Sequence, residues 1–292
     1  MRQVLDSYKI RPQKKFGQNF LADESVLQRE VGNAHLSRSD VVLEIGAGIG
    51  NLTELLLQRA GQVIAIEADR QFEKRLGDLQ GEYDNLEIIW GDALEVDFPA
   101  FDKVVANLPY KVALPLTFKL LDCKFDRGIL MYQKQLAQRL CATVGQNGYS
   151  RLGVSISRRA NAELLEVVDR AAFYPQPDVD SAMVELQCTK PKFDIPSEDF
   201  FKEVLERLFA QRQKSVQQAV RGFRDRKMTK AALERALANM GARVQKRQVS
   251  SIMPRDFGHI TWALWGEAKR QAESKRGTAK TSRSSPGHFR KM

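Results

Sequence analysis

A chain of 292 residues has room for one medium-sized domain and a smaller second one. Its composition, 43% hydrophobic and 28% charged, is that of a globular protein; no long apolar run offers a membrane span and the N-terminus lacks the apolar stretch of a secretory signal. The net charge of +10 is unevenly held: residues 190–292 carry 24 Lys/Arg against 10 Asp/Glu, or +14, leaving −4 for residues 1–189, as expected of an enzyme with a polyanion-binding appendage.

In chain order, four apolar, β-branched runs predict parallel strands at 41–45, 63–66, 86–90 and 103–106. The first leads through glycines into a helix at 52–58, and the second into an amphipathic helix at 70–79. A fifth strand fits 127–131, followed by a helix at 133–143. Strands at 163–168 and 182–187, joined by a short proline-containing segment, suit antiparallel pairing at the sheet edge. Prolines near 190–196 mark a linker. Beyond it the spacing of Phe200, Phe201, Val204, Leu205, Leu208 and Phe209 predicts a helix over 199–211. Another helix starts at Met228-Thr229, with Gly241 as its expected C-cap. From Glu267 the chain is basic and poor in apolar residues, which predicts disorder. Cys123, Cys141 and Cys188 are far apart and His35, His259 and His288 form no ligand spacing, so reduced thiols, a cytosolic setting and no metal site are expected.

The strand Val41-Val42-Leu43-Glu44-Ile45 enters Gly46-Ala47-Gly48-Ile49-Gly50, a turn in which the backbone can approach a ligand closely. A dinucleotide fingerprint would need glycine where Asn51 stands. The ExGxGxG form fits S-adenosylmethionine better, because that cofactor has no pyrophosphate to seat. Glu67 ends the next strand, where a carboxylate can take both ribose hydroxyls. Asp92 follows the third strand and can accept from the exocyclic amine of the cofactor's adenine. The fourth strand ends in Asn107-Leu108-Pro109-Tyr110. Methyl transfer from a sulfonium demands mainly that an amine be held in line. The Asn107 side-chain oxygen and the Pro109 carbonyl can accept from an adenine N6–H, freeing the nitrogen lone pair, while the proline ring holds these acceptors rigidly. Tyr110 offers a face on which the target base can stack. No general base is required.

These motifs, with Lys14-Lys15-Phe16-Gly17-Gln18-Asn19-Phe20-Leu21 before them and Phe173-Tyr174-Pro175-Gln176-Pro177-Asp178-Val179-Asp180-Ser181-Ala182 after, resemble the small-subunit ribosomal RNA adenine dimethyltransferases of the KsgA type, archaeal and eukaryotic branch. The resemblance runs from about Lys14 to Phe257. It implies a Rossmann-like class I S-adenosylmethionine-dependent methyltransferase domain over 1–190, with 1–35 as a cofactor and RNA segment. A smaller all-helical rRNA-binding domain over 191–266 and a basic tail over 267–292 complete the expected α/β organisation. Asn19, Leu21, Gly46, Gly48, Glu67, Asp92 and Asn107 are the implied cofactor residues, and Asn107, Pro109, Tyr110 and Phe173 the catalytic ones. The implied reaction dimethylates two adjacent adenosines in the terminal hairpin loop of small-subunit rRNA, with a role in ribosome biogenesis. Three departures stand out: Gly46-Ala47-Gly48 where Gly-Pro-Gly is commoner, a sparse basic cluster at Gln211-Arg212-Gln213-Lys214-Ser215, and the extended tail, for which we expect nonspecific phosphate contacts. A monomer without membrane association is expected. The rival readings are an adenine methyltransferase acting on large-subunit rRNA and a noncatalytic assembly factor; an NAD-dependent oxidoreductase fails on the glycine spacing.

Overall fold

The computed structural model describes residues 1–13, 17–224 and 228–281, so Lys14-Lys15-Phe16 and the end of the basic tail lie outside the described residues. Contacts divide the chain into two units. The first is Met1–Cys141 with Arg159–Lys190, and the second is Ala142–Arg158 with the residues from Pro191 onward.

The first unit begins with helix α1 (Arg2–Ser7), strand β1 (Phe20–Leu21) and helix α2 (Glu24–Asn33). Asp23 starts α2 by accepting from the backbone N–H groups of Ser25 and Val26 at 2.9 and 3.3 Å. Then β2 (Val41–Ile45), α3 (Asn51–Leu57), β3 (Gln62–Glu67), α4 (Glu73–Glu82) and β4 (Leu86–Trp90) alternate as the apolar runs predict. They continue into β5 (Lys103–Asn107), α5 (Ala113–Leu121), β6 (Arg127–Gln133) and α6 (Lys134–Cys141). The unit closes with β7 (Ala160–Val168), β8 (Phe173–Tyr174) and β9 (Ser181–Cys188); helix α7 (Arg151–Arg159) comes just before β7.

Seven strands form one sheet in the order β4-β3-β2-β5-β6-β9-β7. The first five are parallel, and β9 runs antiparallel between β6 and β7. Val42, Leu43, Val63, Ala65, Val104, Val105, Ile129 and Leu130 are completely or almost completely buried, as central parallel strands covered on both faces require. Chain order reverses between β2 and β5, which is the switch point where open α/β sheets bind ligands. Beside this sheet, β1 and β8 pair antiparallel, with Leu21 opposite Phe173 and Phe20 opposite Tyr174.

The second unit is helical: α7 contributes Val154, followed by α8 (Glu198–Phe209), α9 (Val216–Arg221), α10 (Lys230–Ala238), α11 (Ala242–Lys246) and α12 (Pro254–Thr281). Its core gathers Phe201, Val204, Leu205, Leu208, Leu233, Leu237, Phe257 and Leu264. Three features differ from the expectations. Residues 142–158 belong with this unit, because Tyr149 and Val154 pack into its core and the Tyr149 hydroxyl donates to the Ile252 carbonyl at 2.9 Å. Gly241 does not cap α10, which ends at Ala238; with φ of −56° it begins α11 instead. The stretch after Glu267 continues α12 as far as Thr281 instead of being disordered. Its buried face at Phe257, Ile260, Thr261 and Leu264 extends by one more turn through Glu267, only 1% exposed, whose carboxylate is neutralised by Arg235 and Arg270 at 2.8 and 2.7 Å. Among the described residues no helix is long and apolar enough to cross a membrane, and no cluster of His, Cys, Asp and Glu could hold a metal ion.

Candidate active site

At the carboxyl ends of β2, β3, β4 and β5 a cavity of about 240 Å³ opens in the first unit. The chain leaves β2 through Gly46, Gly48 and Gly50, with φ of 84°, 55° and 78°, all in the left-handed region where glycine carries no Cβ penalty. Gly48 also lies under the Phe20 ring, whose Cε1 would stand 3.0 Å from an added Cβ. The Glu67 carboxylate sits against this loop, accepting from the Gly48 N–H through Oε2 and from the Asp69 N–H through Oε1, both at 2.8 Å. Burial pushes its pKa above the usual carboxylate range, although the backbone donors oppose the shift. Asp92 is exposed, and its Oδ1 accepts from Leu94 N–H at 2.9 Å.

The N-terminal segment forms another wall. Gly17, Gln18, Asn19, Phe20 and Leu21 line the cavity. Three glutamine side chains, Gln13, Gln18 and Gln71, donate to the same Asp69 oxygen, Oδ2, at 3.1, 2.8 and 2.6 Å, tying the segment to the end of β3. The Asn51 side chain donates to the Leu21 carbonyl from the start of α3. The residue that breaks the dinucleotide fingerprint thus tethers the segment over the glycine turn. Phe173 reaches the same cavity through the β1–β8 pairing and is buried.

Asn107 ends β5 beside the glycine turn, and the nearest atom to a Cβ built on Gly46 is Cδ of Pro109, at 4.0 Å. The Pro109 carbonyl accepts from Val112 N–H at 3.0 Å, leaving one of its two lone-pair directions for another donor. Half-buried Tyr110 shares a hydrogen bond with Ser181 at the start of β9. The Asn107 amide nitrogen donates to Glu30 at 3.3 Å, whereas its Oδ1 is buried with no hydrogen-bond partner among the described residues. A buried polar atom left unpaired costs roughly 1–3 kcal/mol, so such an acceptor in a residue that lines a cavity points to a donor that the protein does not supply.

All ten residues singled out in the sequence (Asn19, Leu21, Gly46, Gly48, Glu67, Asp92, Asn107, Pro109, Tyr110 and Phe173) line this one cavity. Sequence reasoning passed over Phe72, Asn51, Glu44 and Glu30. Phe72 is fully buried edge-on to Phe20, and an amphipathic helix pattern gives no sign that it faces a cavity. Glu44 lies in the glycine motif itself but reads as its ordinary acidic position; it is 1% exposed, and burial pushes it up to about 8.

Residues 10–254 match the family model for ribosomal RNA adenine dimethylase. A probable ribosomal RNA small subunit methyltransferase A of Methanosarcina acetivorans is 46% identical over 220 residues, 75% of this chain and 81% of the relative. One of the same description from Methanococcus maripaludis is 36% identical over 262 residues, 88% of this chain and the whole of the relative. Among solved structures, a dimethyladenosine transferase from Plasmodium falciparum superposes with a TM-score of 0.71 at 28% identity, covering 85% of this chain and 98% of that one. The 23S rRNA methyltransferase ErmE superposes at 0.64 and 27%, covering 84% and 99%. With its doubly wound sheet, its glycine turn and a family match that runs through both units, the chain belongs to the ribosomal RNA adenine dimethylases, which are S-adenosylmethionine-dependent methyltransferases.

Proposed function

We propose that this protein methylates the N6 amines of two adjacent adenosines in the 3′-terminal hairpin loop of small-subunit rRNA, twice each, and so takes part in ribosome biogenesis. The observation that carries the reading is the buried, unpartnered Oδ1 of Asn107, a residue that lines the cavity at the switch point. An adenine amine is a donor that such an acceptor can take, and the family match to adenine dimethylases favours it. The shared small-subunit description of the curated relatives supports the choice of RNA.

The residues present fit the cofactor. The turn through Gly46 and Gly48 keeps side chains away from a ligand, the Glu67 carboxylate stands at the end of β3 for ribose hydroxyls, and Asp92 at the end of β4 is placed for an adenine amine. Asn19 and Leu21 cover that ligand from the N-terminal segment. S-adenosylmethionine supplies an electrophilic methyl group when bound. The protein's part is positional: Asn107 Oδ1 and the Pro109 carbonyl accept from the target N6–H groups and turn the nitrogen lone pair away from the ring. Tyr110 stacks on the extruded base, held by its bond to Ser181, and Phe173 closes the far wall. The amine proton leaves to water, which accords with the lack of any histidine among the cavity residues. The helical unit, with the basic second half of the chain, binds the phosphate backbone.

The test is to incubate the protein with tritiated S-adenosylmethionine and small ribosomal subunits lacking the modification, beside large subunits and an Asn107→Ala variant. Label in small-subunit RNA recovered as N6,N6-dimethyladenosine, and lost in the variant, is the expected result. Label in the large subunit would favour the ErmE-like substrate, which the structural similarity to that enzyme keeps in view. Binding of cofactor and subunits with no label anywhere would favour a noncatalytic assembly factor.

A further inference from the structure

Helix α2 buries Val26, Leu27, Glu30 and Val31 along one face, so a carboxylic acid occupies a position where the helical spacing calls for an apolar side chain. Glu30 is completely buried. It forms no ion pair among the described residues; Oε2 accepts the amide of Asn107 at 3.3 Å, and Oε1 has no hydrogen-bond partner. Glu44 stands near enough on β2 to raise its pKa further, beyond the rise that burial alone causes. A lone buried carboxyl with one long hydrogen bond is poor structural material, because an apolar residue of similar size would serve packing better. What the bond does accomplish is local. An asparagine amide can rotate by half a turn and exchange its oxygen and nitrogen at nearly equal volume. With Nδ2 held by the Glu30 carboxyl, Oδ1 is the end left without a partner among the described residues.

We propose that Glu30 is a positioning residue for methyl transfer: its carboxyl oxygen fixes the Asn107 side chain in the orientation that offers Oδ1, and not the NH2 group, to the target amine. The inference rests on the proposed role of Asn107 as acceptor. Without Glu30 the amide populates both orientations, and the flipped one sets a donor against the donor of the substrate. Glu30 does not touch the substrate, and its contribution ends at the amide. Cofactor affinity rests mainly on the glycine turn and Glu67, with Asn107 only one of several proposed contacts, so it changes little.

The test compares wild type with Glu30→Met, which keeps the bulk and removes the acceptor, and with Glu30→Gln, whose side-chain oxygen can still accept. The expected result for Glu30→Met is a fall in kcat of about a hundredfold on unmodified small subunits. Its KM for subunits and its affinity for S-adenosylhomocysteine stay within about threefold of wild type, and its melting temperature is unchanged or higher. Glu30→Gln recovers activity to within about tenfold. Full kcat in Glu30→Met, or a loss confined to cofactor binding, overturns the proposal. A second readout does not depend on turnover: with asparagine-selective ¹⁵N labelling, the side-chain amide pair of Asn107 is identified by its disappearance in Asn107→Ala. One hydrogen-bonded, slowly exchanging proton is expected in wild type and Glu30→Gln and its loss in Glu30→Met; a pair that exchanges freely in wild type refutes the positioning, even where the Met variant does not fold. Should wild type label no RNA, the proposed function falls, and the amide signature still decides whether Glu30 orients Asn107.

Discussion

Replacing Glu67 with glutamine changes one atom and no shape, yet the structure makes it a severe substitution. Each carboxylate oxygen accepts a backbone N–H at 2.8 Å, Oε2 from Gly48 and Oε1 from Asp69. A glutamine amide has one oxygen, so in either orientation its NH2 group faces one of these two donors. One hydrogen bond to a charged acceptor is lost, about 1.5–3 kcal/mol, before any repulsion between donors is counted. Glu67 is 7% exposed, so water cannot fill the gap cheaply. If the energy is taken from the ligand-competent form of the glycine turn, the apparent Kd for S-adenosylmethionine rises by about tenfold to about 150-fold. Loss of the ribose contact adds to this. The assay is calorimetric titration of S-adenosylhomocysteine at pH 8 into wild type and Glu67→Gln, with circular dichroism to confirm folding. A Kd within threefold of wild type would refute the reasoning, since it would mean that neither backbone donor depends on the second carboxylate oxygen.

Gly50→Ala is expected to destabilise the fold: φ is +78° and the new Cβ would overlap Leu79 Cδ1. Left-handed strain and overpacking together predict a loss of about 2–4 kcal/mol in urea unfolding. Glu30 and Glu44 are both pushed up to about 8 by burial, so the folded state binds protons that the unfolded state has released. Stability therefore falls as pH rises from about 4.5 to about 8, and Glu44→Gln flattens that slope in a series of melting temperatures. The lowered carboxyls of Asp23, Asp40 and Asp180 act in the opposite sense and only in acid, below the ordinary aspartate range. For Tyr110, the phenylalanine variant keeps the stacking face and loses only the bond to Ser181, so single-turnover methylation within about threefold of wild type is expected; the alanine variant loses about 1–3 kcal/mol of base stacking, a fall of about fivefold to about 150-fold.

The glycine turn, Glu67, Asp92 and Asn107 were readable from sequence for a topological reason. In a parallel sheet every strand delivers its carboxyl end to the same edge, so a residue's place at the end of an apolar run already states where it stands in space. The N-terminal segment and Phe173 had no such marker. Strands β1 and β8 have two residues each, too short for any periodicity, and only the resemblance pointed to them. Glu30 was hidden for the opposite reason, since an acid on an amphipathic helix reads as solvent-facing. The split of the helical unit was equally silent, because nothing in residues 142–158 signals that Tyr149 packs beside residues a hundred positions later. The continuation of α12 was missed because its last buried position among the described residues is a glutamate that two arginines neutralise.

The pairing of β1 with β8 has a consequence for how the protein comes into being. Leu21 and Phe173 face each other across some 150 positions of chain, and Tyr110 finds its partner only at Ser181. A ribosome releasing this chain exposes the glycine turn, Glu67 and Asn107 early, with one wall of the cavity still unsynthesised. Contacts of such long range form late and close slowly. A chain that assembles in this order has an incomplete cavity until Phe173, on β8, has paired with Leu21. A nascent chain that ends before Phe173 thus presents the cavity without this wall.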